Sequence, residues 1–183
     1  MNSRLNLRKG YFLSSIGPGD EEALLSHFAD GSISAMVPAL PFPYTRKHAE
    51  SWVSLRIAST RRSQAENTFA IRRPDGFLVG SVGVDDFPIG QRDAAEFGYW
   101  LAPDERGKGL ATEAASAFVQ YGFSRLGLKR ITARTLSCNP ASKRVLEKIG
   151  FQLIEIKPAH TITRVGTFDT LFFELRAPAF RKQ

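Results

Sequence analysis

Through Ala94–Leu101 apolar and polar positions alternate, so that Phe97, Tyr99 and Leu101 share one face of a strand and Glu96 points to the other. Pro103, which lacks an N–H, ends that pairing. From Leu110 the period changes: Leu110, Ala114, Ala117, Phe118 and Tyr121 recur at steps of three and four, one apolar stripe of a helix running to about Gly122. A strand therefore enters the segment Glu105–Ala114 and a helix leaves it. The first helical N–H groups have no intrahelical acceptor and carry partial positive charge, and Gly107 and Gly109 remove side chains that would stand over them. Such a loop suits a diphosphate.

The same patterns organise the rest. Leu5–Phe12 reads as a first strand, and Asp20 to about Ala29 as a helix with Leu24, Leu25 and Phe28 on its apolar side. Met36–Tyr44 contains Pro38, Pro41 and Pro43 and reads as a loop; Thr45 then caps a helix carrying Ala49, Trp52, Val53 and Leu55 to about Ser59. Thr68–Arg72 and Phe77–Val84 are strands joined through Asp75-Gly76, and Ala94–Leu101 is a third antiparallel member. Ile131–Leu136 is the next strand. Asn139 caps a short helix with Pro140 at its first position, Val145, Leu146 and Ile149 as its buried face and Gly150 past its end. Phe151–Lys157 is a strand, Pro158–Gly166 a connection, and Thr167–Leu175 the last strand, before a basic tail. This order predicts an α+β (mixed α/β) fold: a central, mostly antiparallel twisted sheet of about seven strands flanked by about four helices.

The loop does not match G-x-G-x-x-G, because Thr112 follows, nor the spacing G-x-x-x-x-G-K-[ST], which argues against a dinucleotide or ATP. Arg106, Gly109 and Ala111 meet [QR]-x-x-G-x-[GA] instead, and this resembles motif A of the GNAT superfamily of N-acetyltransferases. The wording from Lys108 to Ala114 is most similar to the branch of Rim-type ribosomal-protein acetyltransferases and spermidine acetyltransferases. A second block in the expected order, Asn139–Phe151, resembles that branch's N-x-x-S-x-x-[LV]-x-E-K-x-G-F. The resemblance covers roughly the whole chain, strongest between Glu96 and Phe151.

It implies acetyl-coenzyme A as co-substrate and transfer of its acetyl group to a primary amine, a protein N-terminus or a small amine, by direct attack in a ternary complex. It places coenzyme contacts at Arg106, Gly107, Lys108, Gly109, Leu110, Ala111, Thr112, Asn139 and Lys143, and puts the N–H of Leu101 near the thioester oxygen. Glu96 becomes a candidate base acting through water, with Asp85 or Asp86 as alternatives, and Ser142 a candidate proton source for the thiolate. Each has a purely structural counterpart: a sheet hydrogen bond for Leu101, an arginine ion pair for Glu96, and a helix cap for Asn139 and Ser142. A non-catalytic acyl-coenzyme A-binding module is the alternative function. The resemblance also implies a monomer or homodimer.

Length and charge adjust this little. A chain of 183 residues with 43% hydrophobic content and no compositional break reads as one domain over residues 1–183, its core about 5–176. No segment has the length and apolarity of a membrane span or a secretory signal, so a cytoplasmic location is expected. The lone Cys138, expected to be a small buried side chain, excludes an internal disulfide and a cysteine zinc site; His27, His48 and His160 lack metal-ligand spacing, so no metal is expected. The net charge of +7 raises a nucleic-acid partner, but the basic residues are scattered, without a basic helix or interleaved aromatics. Part of the excess has a simpler use at a coenzyme's phosphates, where Arg106, Lys108, Lys143 and Arg144 are candidates.

Overall fold

Strands drawn from Leu5 to Arg176 build an eight-stranded sheet in the computed structural model, which describes residues 4–37, 39–84 and 93–177. In chain order the elements are β1 (Leu5–Asn6), β2 (Phe12–Ser15), α1 (Asp20–Phe28), α2 (Arg46–Ser63), β3 (Thr68–Arg72), β4 (Leu78–Val84), β5 (Ala94–Leu101), α3 (Leu110–Ser124), β6 (Arg130–Leu136), α4 (Pro140–Lys148), β7 (Gln152–Thr163) and β8 (Gly166–Arg176). The strands lie in the order β1-β2-β3-β4-β5-β6-β8-β7, and all neighbours are antiparallel except β5 and β6.

Alternation along the strands divides the core. On one face Phe69, Ile71, Val82, Phe97, Ile131 and Phe173 pack against Leu110, Phe118 and Val119 of α3 and Leu146 of α4. On the other, Ala70 and Leu78 pack against Leu24 and Phe28 of α1 and Ala49 and Val53 of α2, with Trp100 at the margin. The two layers of helix thus cover opposite faces.

Two expectations change. The first strand is two, because Lys9 (φ 55°) and Gly10 (φ 79°) turn the chain through a 3₁₀ segment at Arg8–Gly10 and fold β1 back on β2. That accounts for eight strands rather than about seven. The connection expected at Pro158–Gly166 is mostly strand: β7 runs to Thr163, and only Arg164 and Val165 separate it from β8. Pro158 is tolerated because β7 is the sheet edge and the register slips between Lys157 and Thr161.

Candidate functional site

β5 and β6 run parallel and pair only from Ala94↔Arg130 to Phe97↔Ala133. Beyond Phe97 the strands part, while β5 continues beside β4 as far as Gly80↔Leu101. The Ala102 N–H donates to Val79 O at 2.8 Å, which makes Gly80↔Leu101 a non-hydrogen-bonded pair. The N–H groups of Tyr99 and Leu101 therefore point away from β4, into the gap. The sheet hydrogen bond weighed for Leu101 is not made to β4.

The glycine loop stands at the same end. Gly107 (φ 75°) and Gly109 (φ 79°) are both left-handed, and Gly109 is the N-cap of α3. Among the described residues the amides of Gly107, Lys108, Gly109, Leu110, Ala111 and Thr112 donate to no protein acceptor; the Arg106 N–H differs, donating to Pro103 O at 3.1 Å. The unpartnered row thus begins one residue later than the sequence motif. Arg106 turns its side chain back as well, its Nε donating to Leu101 O at 3.1 Å. That leaves the carbonyl of Leu101 engaged and its N–H open.

Asn139 and Ser142 follow β6, at the N-terminal end of α4. The Asn139 side chain accepts from the Ser142 N–H at 3.1 Å, so the cap is made, while the Ser142 hydroxyl lies near the phenol of Tyr99. Burial raises the Tyr99 pKa, opposed by the nearby Ser142 hydroxyl and by the Arg106 charge, so its proton is firmly held. Lys143, in the same first turn, is half-buried beside Glu147 at 3.7 Å.

Glu96 stands apart from this cluster. It lies five residues before Leu101, about 16 Å along the strand, on the opposite face from Tyr99, and its Oε1 stands 2.7 Å from Arg134 Nε. The ion pair weighed for it is formed. Asp85 and Asp86 lie outside the described residues. Cys138, expected to be buried, is exposed at the turn between β6 and α4.

Three contributors escape a reading of motifs. Arg8 donates from its backbone N–H and its Nε to the two carboxylate oxygens of Glu113, at 2.8 and 3.2 Å, and a Cβ on Gly109 would lie 3.6 Å from its guanidinium. Glu105 is buried beneath the loop, accepting from the Tyr11 phenol at 2.8 Å and from Lys108 Nζ at 3.1 Å. Burial works to raise its pKa, but those two partners outweigh it and hold the carboxyl below the ordinary value. Tyr99 is the third; a tyrosine among otherwise apolar alternating positions was the one available signal. Arg8 and Tyr11 belong to the N-terminal turn, and no local pattern says that it folds over a loop a hundred residues away.

Comparison with known proteins bears on the whole arrangement. The acetyltransferase (GNAT) domain family matches residues 12–152. An uncharacterized N-acetyltransferase, YoaA, of Bacillus subtilis (strain 168) is 36% identical over 107 residues, covering 58% of this chain and 60% of that protein. The chain thus spans under two thirds of that relative's length. The crystal structure of a ribosomal-protein-S5-alanine acetyltransferase from Vibrio fischeri is similar with TM-score 0.83 at 17% identity, covering 98% of this chain and 100% of that one. A spermidine N-acetyltransferase from Vibrio cholerae, solved with CoA and spermine, is similar with TM-score 0.76 at 18% identity, covering 94% and 98%. At these identities the two structures establish the likeness of fold.

Proposed function

Because the chain belongs to the GNAT acetyltransferase domain family, we propose that it transfers an acetyl group from acetyl-coenzyme A to a primary amine. The observation that carries this is the row of unpartnered amides from Gly107 to Thr112 at the open end of the β5/β6 gap, beside the inward N–H of Leu101. The amides suit the coenzyme diphosphate, and the strand edge suits an extended arm passing into the gap. Lys108 and Arg8 supply positive charge beside them. A groove from Thr112 along α3, lined by Arg4, Arg8, Arg125 and Lys148, continues the basic surface toward the nucleotide end.

In the reaction the amine nitrogen attacks the thioester carbonyl carbon, and the Leu101 N–H donates to the oxygen as negative charge gathers there. The carbon–sulfur bond then breaks. Tyr99, with Ser142 beside it, supplies a proton to the departing thiolate, and water in the gap takes the proton lost by nitrogen, since Glu96 is ion-paired to Arg134 well along the strand. Among acceptors, a peptide N-terminus ranks ahead of a small amine, in keeping with the ribosomal-protein relative; the compartment is the cytoplasm, and the assembly a monomer or homodimer.

Release of free thiol from acetyl-coenzyme A, measured over peptides and linear amines, tests this. Gly109→Asn is the decisive variant, since asparagine tolerates the left-handed conformation yet sets a side chain against the amides. Wild type should turn over and bind coenzyme; the variant should fold normally and lose coenzyme affinity by about tenfold or more, the value of one or two charge-assisted hydrogen bonds. Equal affinity in the two would overturn the placement, and no turnover with any acceptor would favour a binding module.

A further inference from the structure

Glu113 puts a carboxylate in the first turn of α3, its own N–H donating to Gly109 O at 3.1 Å. Helical side chains lean back toward the N-terminus, so this one hangs over Gly109 and Leu110, beside the open amides. A carboxylate and a phosphate are the same kind of guest there, each an anion drawn to unpaired N–H groups and to the positive end of the helix dipole. Left alone, Glu113 would compete with a diphosphate and repel it. It is not left alone. Arg8 donates its backbone N–H to Glu113 Oε1 at 2.8 Å and its Nε to Oε2 at 3.2 Å, so both carboxylate oxygens are directed to the N-terminal turn. The guanidinium stays close to the loop, since a Cβ on Gly109 would lie 3.6 Å from Arg8 Nη2.

The turn that carries Arg8 is fastened on two sides. Across it the Leu7 N–H donates to Tyr11 O at 2.8 Å and the Tyr11 N–H to Arg8 O at 3.2 Å, and beneath the loop the Tyr11 phenol donates to Glu105 at 2.8 Å. The ion pair itself adds little stability, because the Arg8 side chain is 73% exposed. Its consequence lies in where it holds Glu113. We propose that Arg8 is a positioning residue that acts on the coenzyme through Glu113: it draws the carboxylate off the α3 amides and cancels its charge, leaving those amides to the diphosphate. The proposal rests on the transferase reading for its ligand, but the effect on the amides is measurable without one.

Arg8→Ala keeps the backbone bond and removes the countercharge. Its affinity for coenzyme A, measured by calorimetry at low salt, should fall by about tenfold, the scale of one uncompensated charge beside a diphosphate at a partly exposed site, and the deficit should shrink at about 0.5 M salt. Adding Glu113→Gln should bring affinity back to within about twofold of wild type, a coupling that a direct contact of Arg8 with the phosphates would not produce. With no ligand present, hydrogen exchange at the amides of Gly109–Thr112 gives a second reading. At neutral pH an amide exchanges through the anion left when hydroxide takes its proton, and a bare carboxylate nearby disfavours that anion. Exchange should therefore slow by about threefold or more in Arg8→Ala and return to the wild-type rate in the double variant, whereas a merely loosened turn would speed it. Unchanged affinity in Arg8→Ala, a loss that Glu113→Gln does not rescue, or exchange that fails to slow would overturn the proposal. Failure of the wild type to bind coenzyme A would count against the transferase reading, while exchange at the four amides still decided this one.

Discussion

Glu105 shows how much of the candidate site depends on single side chains that touch no ligand. Its carboxylate is buried, bonded by Tyr11 from the N-terminal turn and by Lys108 from the loop, and it ties the two together. Its pKa lies below the ordinary 4.5, so its stabilising contribution is complete above 4.5, where the unfolded carboxyl is also ionised, and drains away as pH falls through the folded value. Tyr11→Phe removes the partner that lowers the pKa most. Acid unfolding of that variant should begin at a higher pH than in wild type, with about 1 kcal/mol lost at neutral pH, the value of one hydrogen bond to a charged group that water partly screens. Urea titrations at pH 7 and pH 4 would show it; parallel losses at both would mean that Glu105 is not the group responsible. Motif residues such as Gly107 and Gly109 were legible because their job is local, a turn and an absent side chain. Arg8 and Tyr11 were not, because their partners lie far away in sequence.

Among the elements, β3, β5 and α4 were legible almost to the residue, since each carries its own period and its own stop: Asp75-Gly76 after β3, Pro103 after β5, Asn139 and Gly150 around α4. β7 was cut short at Pro158 because proline reads as a break, and only the sheet order shows that its missing N–H would have faced solvent at an edge. The docking of α1 was hidden too. Arg72 of β3 donates to Asp20 through Nη1 at 2.7 Å and Nη2 at 2.9 Å, with side chains only 15% and 7% exposed, pinning the start of α1 to the sheet. Removing one charge from such a pair leaves the other buried and uncompensated. Asp20→Asn should therefore cost about 3 kcal/mol in urea unfolding. Because the Asp20 end of α1 and β3 lie away from the β5/β6 gap, coenzyme affinity at neutral pH should stay within about twofold of wild type, the additivity expected of distant sites. A large fall in affinity with little loss of stability would reassign Asp20 to the site.

At the scale of the molecule, helix layers on opposite faces of one sheet followed from the element order, whereas the gap did not. Where β5 and β6 stop pairing depends on three-dimensional splay, and the alternation of Phe97, Tyr99 and Leu101 runs through that point unchanged. The charge of +7 likewise left two partners open, a polyanion spread over the surface or the phosphates of one coenzyme. Ligand-linked stability separates them, because only a ligand that binds the folded state raises the unfolding temperature. Acetyl-coenzyme A at a hundredfold excess over its Kd should add about 2.7 kcal/mol, equivalent to roughly 5–10 °C for a chain of this length. Gly109→Asn should lose most of that rise at the same coenzyme concentration, and raising salt should shrink it in wild type because loop and phosphates attract partly through screened charge. Single-stranded RNA at physiological salt should give no shift. A rise with RNA that falls steeply with salt, together with none for the coenzyme, would move the basic surface to a nucleic acid and leave the amides of Gly107–Thr112 without the partner argued for them.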